Sequence, residues 1–275
     1  MSKIIKPLNN EELRFQAPTL FTNQPHHDVS DKYHFIPTIE IVEELRAQSW
    51  FPVAVSQSNV RDENKEGFQS HYVRFQNFAD LINPSANVVE LLLFNSHDRS
   101  KSFTISAGIY RYVCSNGLVI ADSVFESYKI KHLGDKDNDV ENAVARIIEV
   151  KPKLLSKISK FENINLNQIE KEAFMQSVLP LRFEKHLQLD NNNDLLIPLR
   201  AEDEKDDLYT VLNILQENLL SSKISGYNKD TGRRFTSKEI TSISKDVEIN
   251  KGIWEIAERI ASIKDSSYDS PLIAA

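Results

Sequence analysis

One cysteine and seven glycines in 275 residues are low counts, and each scarcity excludes something. A lone Cys114 cannot form a disulfide within the chain, so no disulfide framework holds the fold, and the usage suits a reducing compartment. Neither GxGxxG nor GxxxxGK(S/T) occurs, which removes the usual glycine-rich phosphate loops. No apolar run approaches the roughly 18 residues a membrane span needs, and the N-terminus shows no signal-peptide hydrophobic region. The expectation is a cytoplasmic protein with no membrane partner. His26-His27-Asp28 is the one metal-like cluster, but no partner pair at ligand-like spacing supports it, so no metal and no cofactor are expected.

Hydrophobic residues make up 40% and charged residues 27%, ordinary for a globular chain long enough to bury one large core or two smaller ones. The organising stretch is residues 87–120. Residues 88–94 are apolar apart from Glu90, which suits a strand buried on both faces. From Phe103 the pattern alternates, with Phe103, Ile105, Ala107 and Ile109 on one side and Thr104, Ser106, Gly108 and Tyr110 on the other. Between them, residues 95–100 read as a polar hairpin tip. Strands are also expected from Phe51, over 71–78 and over 123–131.

Ahead of these strands, Thr38 reads as the N-cap of a helix ending near Ser49, with Ile39, Ile41, Val42 and Leu45 as its apolar side. Residues 1–36 read as a solvated arm packing Phe15, Phe21 and Phe35 onto the body. Residues 139–161 read as a helix that Pro152 must kink or split. Further helices are expected over 165–179, 203–220 and 250–264, with polar loops at 190–198 and 225–235. The fold class is α+β: an antiparallel β-meander covered by helices, followed by a mainly helical C-terminal part. The expected divisions are an arm at 1–36, an α+β core domain at 37–162, a helical region at 163–265 and a flexible tail at 266–275.

The net charge of −7 is uneven. Residues 161–220 hold five Lys/Arg against twelve Asp/Glu, whereas 142–160 and 221–238 each hold five against one. Local charge decides attraction at a surface. A continuous helix would place Arg146, Lys153, Lys157 and Lys160 on one face, as a phosphate-tracking stripe would require. The meander adds Arg74, Arg99, Lys101, Arg111, Lys129 and Lys131, with Tyr72, Tyr110, Tyr112 and Tyr128 as stacking candidates. Arg233 and Arg234 lie in the basic loop.

FNSHD followed by an alternating strand and RYVCSNGL resembles a phage- and plasmid-encoded family of uncharacterised proteins marked by NSHDGS and RxVCSNGL. The likeness extends to SDKYHFIPT, LNILQENL, GRRFTSKEITSI and Trp254. Asn95, Ser96, His97, Asp98, Arg111, Cys114, Ser115, Asn116 and Gly117 sit on its pattern. Arg99 departs from it, since glycine is usual there, which puts the geometry of the hairpin in question. The order of helix, meander and long basic helix is similar, as architecture alone, to the single-strand annealing proteins of phage recombination. That likeness implies an oligomeric protein whose partner is single-stranded DNA, with no residue roles carried over.

The alternatives are a protein binding a host defence component, a purely structural assembly protein, or an enzyme using His97 and Asp98 as base and orienter with Cys114 as nucleophile. Cys114 follows an apolar strand and reads better as a small core residue. Asn95 and Asn116 suit hydrogen bonds to turn backbone, and Gly117 suits the end of a corner.

Overall fold

The computed structural model describes residues 5–29, 35–60, 62–111, 118–119, 128–129, 136–220 and 223–265. Cys114, Ser115, Asn116, Gly117, Tyr112, Lys131 and the 266–275 tail lie outside them, as does most of the strand expected at 123–131. The chain divides into two compact units, one of residues 1–112 and 125–151, the other of residues 113–124 and 152–275.

The first unit begins with a segment that is packed rather than solvated. Helix α1 (Asn10–Gln16) starts at a capping box in which Asn9 and Glu12 satisfy each other's backbone N–H groups. Leu13, Ala17 and Leu20 are fully buried, the last within a 3-10 turn at Pro18–Phe21. Phe15 is 90% exposed, contrary to expectation, because two residues along a helix from Leu13 is its opposite side. Phe21 instead carries the Arg14 guanidinium, 3.9 Å from its ring centroid.

Helix α2 (Thr38–Ala47) buries Ile41, Val42 and Leu45. Its cap residue is Pro37, not Thr38, and makes no side-chain cap. The Thr38 hydroxyl is turned into the protein, where side chains of the sheet engage it.

Four antiparallel strands follow in sequence order: β1 (Trp50–Gln57), β2 (His71–Asn77), β3 (Asn87–Asn95) and β4 (Thr104–Arg111). A short helix α3 (Phe78–Ile82), capped by Asn77, separates β2 from β3. The register shifts between Pro52 and Ala54, as expected where a proline cannot donate to the ladder. Beyond the hairpin strands, β5 (Leu118–Val119) belongs to the second unit, and β6 (Tyr128–Lys129) pairs antiparallel with β4. The meander is thus as expected.

Strand β3 is buried from Val88 to Leu93, including Glu90 at 0% exposed. Arg74 of β2 meets that carboxylate with Nε at 2.6 Å and Nη2 at 3.0 Å, and Gln76 adds a third donor at 2.8 Å. The Arg74 guanidinium also lies 4.6 Å from the Tyr110 ring centroid. Burial opposes the Arg74 charge, but Glu90 outweighs it and leaves the pKa raised. Arg74 is therefore a sheet residue and not a candidate phosphate contact.

Helix α4 (Lys136–Glu162) runs unsplit through Pro152, and the boundary between the units falls at the Lys151–Pro152 bond. Its N-terminal part is tied to α3 by Lys151 on Asp80 at 2.6 Å. In the second unit, α5 (Gln168–Val178) opens with an Asn167/Glu170 capping box. A three-stranded antiparallel sheet follows, β7 (Leu187–Leu189), β8 (Ser225–Asn228) and β9 (Arg234–Thr236), with β8 central. Helix α6 (Leu208–Leu220) lies between β7 and β8 in sequence, and α7 (Ile243–Lys264) closes the described chain. Every residue of α6 is buried. Three of its polar side chains are paired with groups outside the helix: Glu217 takes both arms of Arg200, Asn218 donates to the carbonyls of Leu195 and Ile197 at 3.0 Å, and Gln216 meets Asn250.

The 225–235 segment is thus a hairpin and not a loop. Its strands are too short and polar to show a two-residue apolar period. Removing one partner of a buried ion pair is costly, so Glu90→Leu should lower stability by about 3–5 kcal/mol. Arg74→Met added to it should restore most of that loss, measured by urea denaturation. A double variant no more stable than Glu90→Leu would show that the stranded charge is not the cause.

Candidate functional site

The NSHD segment is a buried corner rather than an exposed tip. Asn95, Ser96 and His97 are at most 1% exposed. Asn95 Nδ2 donates to the Ile36 carbonyl at 3.2 Å and to Thr38 Oγ1 at 2.9 Å, joining the end of β3 to the start of α2. Thr38 Oγ1 lies 2.8 Å from His71 Nε2, and His71 Nδ1 lies 3.1 Å from the Gln69 carbonyl. A carbonyl only accepts, so His71 carries its proton on Nδ1 and accepts the Thr38 hydroxyl proton at Nε2. Burial, then the neighbouring His97, push the His71 pKa down to about 3, against the pull of the Gln69 carbonyl.

The His97 ring lies 4.9 Å from Phe35 and 5.1 Å from His71 between centroids. Among the described residues, neither of its nitrogens has a hydrogen-bond partner. Burial lowers its pKa to about 4, although the Thr19 backbone and Asp98 favour the charged form. The Thr19 backbone lies near the ring but does not meet hydrogen-bond geometry with either nitrogen. Asp98 takes the Ser100 N–H at 2.9 Å and Lys65 Nζ at 3.2 Å. Burial raises its pKa, but Ser100 and Lys65 outweigh that and hold the carboxyl below its usual range. A His97–Asp98 dyad is therefore not assembled.

Arg99 has φ +63°, so the position does require the left-handed conformation that glycine adopts freely. The hairpin is built as the glycine pattern implies, with arginine bearing the strain. Arg99 and Lys101 are exposed. Ser96 Oγ bridges the Lys101 N–H at 2.9 Å and its carbonyl at 3.1 Å, closing the loop. Arg111, at the end of β4, is half-buried, and Lys129 pairs its backbone with Thr104.

On α4, Arg146 and Lys153 are exposed and Lys160 is half-buried. Lys157 does not belong to a solvated stripe: its ammonium pairs with Glu258, whose side chain is 4% exposed. Arg146, moreover, belongs to the first unit, whereas Lys153, Lys157 and Lys160 belong to the second.

The remaining basic cluster is the β8–β9 hairpin. Asn228 Oδ1 accepts the N–H groups of Asp230 and Thr231, and Gly232 turns the chain at φ +68°. Gly226 has no room for a side chain, since a Cβ there would stand 2.1 Å from the Gln188 carbonyl oxygen. Lys229 and Arg233 are exposed at the tip. Tyr227, 38% exposed, pairs across the strands with Arg234. Arg234 is itself committed to Asp190, at 2.9 and 2.7 Å. Tyr227 escaped the sequence reading because a tyrosine in a presumed loop has no facing partner.

The family model described as a domain of unknown function (DUF932) matches residues 25–254, from the His26 turn through Trp254. The chain belongs to the DUF932 family. It is 30% identical over 255 residues to UPF0380 protein YafZ of Escherichia coli (strain K12), covering 93% of this chain and 92% of that one. The same identity and coverage hold for UPF0380 protein YfjQ of the same organism. No solved structure matches the fold. Among the described residues, no helix of this DUF932 chain is long and apolar enough to cross a membrane.

Two measurements test the corner. His71 and His97 are neutral when folded, with pKa values near 3 and 4 against an ordinary 6.5. The unfolded chain therefore binds more protons below about pH 6.5, and stability should fall with pH by about 1.4 kcal/mol per unit for each histidine until its folded pKa is reached. Urea midpoints from pH 7.5 to 4.5 should show this, and His97→Phe should halve the slope. Arg99→Gly should raise stability by about 1 kcal/mol by relieving the positive φ, read as a higher midpoint at pH 7.5.

Proposed function

We propose that this protein binds single-stranded nucleic acid through the β8–β9 hairpin, as an oligomeric recombination protein of the phage and plasmid kind. The observation that carries this reading is the exposed Tyr227 on a hairpin whose tip presents Lys229 and Arg233. Single strands are held by basic groups that follow phosphates and flat rings on which bases stack. The hairpin combines both within a few residues, in a segment where five Lys/Arg stand against one Asp/Glu. Lys223 and Lys238 extend the exposed positive surface along its base. The α4 stripe is the poorer surface, since Lys157 holds a buried carboxylate. The resemblance of NSHD and RYVCSNGL to phage and plasmid proteins supports the biological setting, and the meander followed by a long helix supports a likeness to annealing proteins.

Fluorescence anisotropy with labelled single-stranded DNA and RNA tests this. If Lys229, Arg233 and Lys238 contact phosphates, log affinity should fall against log salt with a slope of roughly −2. Arg233→Ala should flatten the slope by about 0.7, whereas Tyr227→Ala should cost about 1–3 kcal/mol of affinity with the slope unchanged. Light scattering should show more than one chain per complex. Absence of binding at low salt, or wild-type behaviour of both variants, would overturn the reading.

A further inference from the structure

Residues 26–29 form a turn closed on itself and anchored at His26. The Val29 N–H donates to the His26 carbonyl at 3.1 Å, and the His26 N–H donates to the His97 carbonyl at 2.9 Å. The His26 ring is 2% exposed and stands edge-on to Phe68, with 5.0 Å between centroids. Its Nε2 lies 2.9 Å from the Asn64 carbonyl oxygen. Because that oxygen only accepts, Nε2 carries the proton and Nδ1 keeps its lone pair. Nδ1 lies 3.6 Å from Asp28 Oδ2, and His27 Nε2 lies 3.3 Å from Asp28 Oδ1. The three donor atoms all fall within 4.8 Å of one another. Nitrogen and oxygen ligands about 2.0–2.2 Å from a tetrahedral zinc ion stand about 3.4 Å apart, so small rotations of two exposed side chains complete the set.

We propose that His26 Nδ1, His27 Nε2 and the Asp28 carboxylate form a divalent transition-metal site, with zinc as the best-fitting ion. Two imidazoles and a carboxylate suit zinc and its borderline neighbours, whereas magnesium and calcium favour oxygen donors alone. The Asn64 carbonyl behind His26 supplies the orienting hydrogen bond that metal-bound imidazoles usually make. The His27 and Asp28 side chains are 76% and 73% exposed, so an ion reaches the site from solvent and water completes its coordination. The ion displaces one long bond, from the Asp28 N–H to His26 Nδ1 at 3.2 Å. Once bound, it fastens this turn to the NSHD corner through the His26–His97 backbone contact. A bare ion pair between His27 and Asp28 is the alternative that the test excludes.

The test uses the full chain without a histidine tag, stripped with a chelator and titrated with zinc by calorimetry. One zinc per chain is expected, with cobalt(II) at the same site giving a visible d–d spectrum. His27→Ala alters an exposed ring and leaves the fold intact by circular dichroism, so it is the decisive variant. It should weaken zinc binding by about tenfold or more, as should Asp28→Asn. Failure of the folded wild type to bind zinc, or a loss of less than tenfold in His27→Ala, overturns the proposal.

Discussion

Strand β3 sets the constraint on which the first unit depends. It pairs with β2 on one edge and β4 on the other, and its side chains are buried from Val88 to Leu93 on both faces. No polar group placed on it can be left to water, and an unpaired buried charge is far costlier than the hydrogen bonds that satisfy it. Glu90 therefore requires Arg74 and Gln76 from β2. Asn95, at the strand's end, requires the Ile36 carbonyl and the Thr38 hydroxyl. These demands set where α2 begins and fix the tautomer of His71.

The second unit obeys the same rule with a helix in place of a strand. Helix α6 is buried on every side, so it has no solvated face to receive Asn213, Gln216, Glu217 and Asn218. Arg200, Asn250 and the carbonyls of Leu195 and Ile197 meet three of them. Asn213 is met within the helix by the Tyr209 carbonyl. The polar groups of this helix are internal fasteners. Lys157 on Glu258 is a further case, a basic residue that holds the fold together and is not available to a phosphate.

What remains at the surface is smaller and more local. The β8–β9 hairpin offers Tyr227, Lys229 and Arg233, and the His26 turn offers a buried imidazole whose lone pair is oriented by the Asn64 carbonyl. Both lie within the stretch that matches the DUF932 family. The two proposals made for them draw on different chemistry, nucleic-acid binding at one and metal ligation at the other, and neither depends on the other.

The sequence alone determined the meander and most of the helices, because apolar periods of two and of 3.6 residues are local properties. Residues 88–94 and 103–110 declared their strands, whereas the partners of the Glu90 interruption, Arg74 and Gln76, came only with the structure. The left-handed position at Arg99 was legible only through the NSHDGS resemblance, and the structure supplies its φ of +63°. Tertiary structure alone decided which polar residues are used up. Thr38 reads locally as a cap, yet Asn95 and His71, 57 and 33 residues away, claim its hydroxyl. Lys157 reads as part of a basic face, yet Glu258 lies 101 residues on. The hairpin at 225–236 reads as a loop, since β8 gains its strand character from pairing with β7 and β9. Pairings over such separations leave no trace in local pattern, because tertiary contacts override what each segment prefers by itself.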